Sequence, residues 1–179
     1  MDGRIGRIIS ALLSSAYALH YAMTPEDWHF IDGADLIFHE AGHAIFSFFG
    51  DLIHVAMGSG FQILLPFSIA LYFYYQRHAL SGAICLMWTG MNLISVSIYA
   101  GDAIVMQLPL LGGDSVIHDW NYLLTELHML RWTSQIAYAF MALGITVIGL
   151  GVALSIWSAW SIRSATRAQR SLSTSAPRL

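Results

Sequence analysis

The sequence predicts an all-α, polytopic transmembrane helix bundle of about four to six membrane segments, with a short or re-entrant helix carrying its chemistry. Hydrophobic residues make up 56% of the 179-residue chain and charged residues only 11%, with a mean hydropathy of +0.60, too little charge for a water-exposed surface. The apolar residues fall into about five runs separated by polar or glycine-containing connectors. One of these runs contains His39-Glu40-Ala41-Gly42-His43, an ionisable cluster that is costly in lipid and so marks function by default.

Residues 1–162 read as one integral membrane domain and 163–179 as a disordered basic tail rich in arginine and serine. The first apolar run, Ile8 to Met23, is short and carries Ser10, Ser14, Ser15 and His20. It is followed by the connector Thr24 to Gly33, whose acidic residues and Trp28 suit a membrane boundary. The motif helix is expected from Ala34 to Phe49, stopping at Gly50. Its length is marginal for a core of about 30 Å. Residues 51–60, with Gly58 and Gly60, read as irregular, and a run from Phe61 to Tyr75 contains Pro66; the backbone of Gly58–Gln62 is either a tight turn between helices or a stretch that an extended peptide could pair with.

The strongest span runs from Ala79 to Ile98 and on towards Met106. A Gly112-Gly113 turn then leads to a mixed helix at Asp119–Trp132, and a final span at Ile136–Trp160 offers Gly144, Gly149 and Gly151 for close packing. Arginines at 163, 167, 170 and 178 place the C-terminus in the cytoplasm, and Arg4 and Arg7 point the same way for the N-terminus. Two cytoplasmic ends need an even number of crossings, which five runs do not supply. The net charge of -3, with arginine as the only strong base, excludes nucleic acid as a partner. The lipid bilayer is the expected partner, with a membrane protein or peptide as substrate.

Two histidines four apart on a helix project about 40° apart, so His39 and His43 can reach one ion. Glu40 stands beside that face, where it can take a proton from a water that the ion acidifies. A catalytic zinc takes a third protein ligand, which must come from elsewhere in the chain. Trp88, Asn92, Ser95, Tyr99 and Asp102 share one arc of about 80° on the strongest span, and such a polar stripe faces the protein interior. Asp102, its only carboxylate, is the first choice for third ligand, with His118 and Asp119 as alternatives. Asn92 is the candidate donor to a substrate oxyanion, and His54 is a candidate to orient a ligand.

Phe38-His39-Glu40-Ala41-Gly42-His43-Ala44 in an apolar helix resembles the membrane-embedded zinc metalloproteases of the site-2 protease class. The resemblance implies zinc bound by His39, His43 and a distant aspartate, with Glu40 as general base for peptide hydrolysis in or near the membrane. That family's second motif reads Asp-Gly, often after Asn-Pro, whereas this chain has Gly101-Asp102-Ala103. The alternative reading is a non-catalytic membrane metal-binding or scaffold protein that retains the motif.

Overall fold

The computed structural model describes residues 3–108 and 117–174. These form six α-helices with no strand among the described residues: α1 (Gly3–Met23), α2 (Phe30–Phe46), α3 (Asp51–Tyr75), α4 (Ala79–Gly101), α5 (Asp119–Glu126) and α6 (Thr133–Thr174). Short 3₁₀ turns follow α2 at Ser47–Phe49 and precede α6 at Leu130–Trp132. The all-α architecture is therefore as the sequence predicts. Three helical stretches are long and apolar enough to cross a membrane: α3, α4 and Leu130–Ser161.

α4 is the central element, with 61% of its most apolar stretch inside the protein against 22% for each of the other two. Glycines set its contact with α6. A side chain on Gly90 would meet the carbonyl of Gly144 at 2.8 Å, and one on Gly151 would meet Met87 Cγ at 2.5 Å. Close backbone approach of this kind is how helices associate where water supplies no hydrophobic drive. Gly149, expected in the same seam, has nothing near it. Ala18 and Tyr21 of α1 complete the core with Met87, Met91, Ile94 and Ile148.

Several boundaries differ from the expectation. α2 begins at Phe30, ahead of Ala34, because the Asp32 carboxylate turns back to accept from the His29 backbone N–H at 2.6 Å and closes the first turn. The segment 51–60 is not irregular: α3 runs unbroken through Gly58, Gly60 and Pro66. In an apolar setting a helix satisfies its own backbone, which outweighs the weak helix propensity of glycine. The same hydrogen bonding leaves no free edge there for an extended peptide. α4 ends at Gly101, α5 stops at Glu126, and α6 continues as helix through residues 163–174, where composition reads as disordered. The Gly112-Gly113 turn and residues 175–179 lie outside the described residues.

Candidate metal centre

Helix periodicity aims His39 and His43 from α2 towards α3. Gly42, between them on the chain, lets the two helices touch: a side chain there would collide with the carbonyl of Met57. α5 closes the site from the side. Its anchors are Trp120 Nε1–H donating to Ser59 Oγ (3.1 Å) and Asn121 Nδ2–H donating to the Ala103 carbonyl (2.8 Å). The Asp119 backbone N–H donates to Tyr99 Oη at 3.1 Å, which fixes the first residue of α5 against α4.

His39, His43 and Asp119 form a group that could hold a metal ion, each offering one ligand atom within 4.8 Å of the others. Asp119 Oδ2 lies 2.8 Å from His39 Nε2 and 3.1 Å from His43 Nε2. The far side of each ring is also engaged. His43 Nδ1–H donates to the His54 carbonyl at 2.9 Å, and His39 Nδ1–H donates to Gln62 Oε1 at 3.1 Å. A carbonyl oxygen can only accept, so the proton sits on Nδ1 and a neutral ring presents a bare Nε2. In that tautomer two bare nitrogens and a carboxylate oxygen converge, a donor set that a cation would satisfy. Ligating histidines are held in this way, by an acceptor on the remote nitrogen.

Gly58 supplies the second indication. A Cβ at that position would stand 2.5 Å from His43 Nε2 and 2.6 Å from His39 Nε2. Only glycine lets α3 come this close to both imidazoles. The donor set and the fixed rings together fit a bound cation.

The sequence-predicted residues divide between the centre and its support. His39 and His43 are in the group, and Asp119, an alternative by sequence, takes the third position. Asp102 does not: its carboxylate accepts from the backbone N–H groups of Gln107 (2.9 Å) and Leu108 (3.0 Å) and lies 3.3 Å from His118 Nε2. A carboxylate at a helix C-terminus is drawn to the free N–H groups of the chain that leaves it. His118 is the N-cap of α5, taking the Asn121 N–H on Nδ1 at 3.3 Å, so it positions Asp119 and does not join it.

Asn92 faces away from the group, donating to Asp35 Oδ1 (3.2 Å) and the Trp88 carbonyl (3.1 Å), so it does not stand as an oxyanion donor. His54 does support His43, chiefly through its backbone carbonyl, and its own Nδ1–H donates back to the His43 carbonyl at 2.9 Å. Glu40 is exposed on α2, within electrostatic reach of His43 and Tyr99. Gln62, Ser59 and Gly58 were not singled out for the centre by sequence. Their shared signal is a small or polar residue at helical spacing on an otherwise apolar α3, visible only once that stretch is read as helix.

No family model, curated protein or solved structure matches the chain.

Proposed function

We propose that the chain is an intramembrane zinc metallopeptidase in which His39, His43 and Asp119 hold the ion and Glu40 is the general base. The observation that carries this reading is the convergence of two imidazole Nε2 atoms and one carboxylate oxygen, all within 4.8 Å of one another. Three protein ligands of this kind are the pattern of catalytic zinc sites. The motif's resemblance to site-2 proteases supports peptide hydrolysis as the reaction.

Bound zinc would supply Lewis acidity, polarising a carbonyl and acidifying water. The chain's own residues do the rest. Asp119 brings negative charge to the ion, while Gln62 and the His54 carbonyl hold the imidazoles in the ligating tautomer. Glu40 accepts the proton of the attacking water and returns it to the departing amine. α3 and α5 wall the site against bulk water.

The test is metal analysis of the purified full chain in lipid vesicles beside a Glu40→Gln variant, with quenched fluorescent peptides of transmembrane sequence as probe. The expected result is about one zinc per chain in both, with cleavage by the wild type alone. Zinc without Glu40-dependent cleavage would favour the non-catalytic metal-binding reading. Iron in place of zinc would point to oxygen chemistry, since two histidines and a carboxylate also suit that metal. A metal-free protein would end the proposal.

A further inference from the structure

One helical turn before His39, a second carboxylate is buried with a different set of neighbours. Asp35 is 1% exposed. Its Oδ1 accepts from Trp88 Nε1–H at 2.7 Å and from Asn92 Nδ2–H at 3.2 Å. Its Oδ2 has no partner, and neither does Oδ1 of Asn92, a residue with no exposure at all. Two acceptors are thus stranded on two planar groups already joined along one edge. Leaving a buried acceptor unpaired is costly, and leaving an ionised one unpaired more so.

We infer that Asp35 is a proton-binding site: its Oδ2 carries a proton and donates it to Asn92 Oδ1, closing a cyclic acid–amide pair that ties α2 to α4. One added hydrogen satisfies both stranded atoms and removes a charge from the bundle interior. The surroundings offer no compensating cation. From α1 the facing ionisable group is Tyr21, whose hydroxyl is committed to Asp32 Oδ1 at 2.8 Å. On α2 it is Asp32 itself, a further negative charge. α4 presents Trp88 and Asn92, and the buried face of α3, Gly58, Ser59, Gln62, Pro66 and Ala70, carries no ionisable side chain.

The proton has a structural role distinct from the metal's. Asp35 and His39 share one face of α2, so the acid–amide pair fixes the helix that presents the first ligand. Loss of the proton would leave a buried, uncompensated charge between α2 and α4 and weaken that hold.

Infrared spectroscopy of the full chain in vesicles tests the assignment. The expected result is the carbonyl stretch of a protonated carboxylic acid at neutral pH, lost on raising pH and absent from Asp35→Asn. Asparagine reproduces the neutral pair, donating where the acid did, so that variant should keep the wild-type thermal midpoint. Asn92→Leu keeps Asp35 but removes its acceptor, and should shift the band towards that of a free acid. It serves as well if Asp35→Asn does not fold. No acid band at neutral pH in the wild type, or a midpoint lowered by Asp35→Asn, would overturn the proposal. So would a band that sodium abolishes at constant pH, which would make the pocket a cation site.

Discussion

Asp119 receives two imidazoles on one oxygen, whereas Asp35 receives an indole and an amide on one oxygen and nothing on the other. Both carboxylates are buried and both lean on the polar stripe of α4, Asp119 through Tyr99 and Asp35 through Trp88 and Asn92. What differs is what the neighbours leave exposed. Around Asp119 the histidines turn lone pairs inward to a point that a cation would satisfy, and Gly58 lacks the side chain that would press on both rings. Around Asp35 the partners are fixed donors, and the atoms left over are acceptors that a single proton reconciles. A buried carboxylate is thus read by its neighbours' unused atoms more than by its depth.

The largest expected effect comes from pressing a side chain against the imidazoles. Gly58→Ala should reduce bound metal to background while Gly60→Ala retains it, because a Cβ on Gly60 meets only the flexible end of Met57, at 3.1 Å from Sδ. Metal content per chain after dialysis reads both. Asp119→Asn should come next, losing the metal under the same dialysis while Asp102→Asn keeps it. Equal losses in the two would restore Asp102 to the centre. Gln62→Leu removes the acceptor from His39 Nδ1 but not the ligand itself, so the expected change is a weakening of metal affinity by about 10–100-fold with full occupancy at saturation. Competition with a chelator measures it. The smallest effect on the comparison is expected from Gly144→Ala at the α4–α6 seam. Thermal unfolding should show a cost of about 1–3 kcal/mol, with metal stoichiometry unchanged.

Much of this was legible in the sequence, for reasons that differ by residue. His39 and His43 are paired by helical period alone, and the stripe on α4 is set by the same arithmetic. Each stripe residue does reach the neighbourhood of the motif: Trp88 and Asn92 at Asp35, Ser95 at Gln62, Tyr99 at Asp119, and Asp102 at His118. Periodicity cannot say which carboxylate completes the group, because Asp119 is 80 residues from His39 and reaches it only through the packing of α5 on α3. Asp102 looked the better ligand because it ends the stripe, yet the last position of a helix is where backbone N–H groups compete for a carboxylate. Gly58 was misread for a related reason. Glycine is a strong signal for a break, but here its value lies in the side chain it lacks.

The direction of each helix follows from its contacts. Ser15 pairs with Ser155, and Gly144 and Gly151 meet Gly90 and Met87, so α1 and α4 run one way and α6 the other. Gln62 pairs with Ser95 and Gly82 abuts Tyr74, so α3 also runs against α4. His39 and His43 meet Gln62 and His54, which sets α2 alongside α1 and α4. α1 and α2 therefore run in the same direction. Arg7 and Arg77 stand at one end of the bundle, while His39 and His43 lie towards the other. The ionisable group of α2 and α5 and the arginine-bearing helix ends thus occupy opposite ends of the same stack of helices.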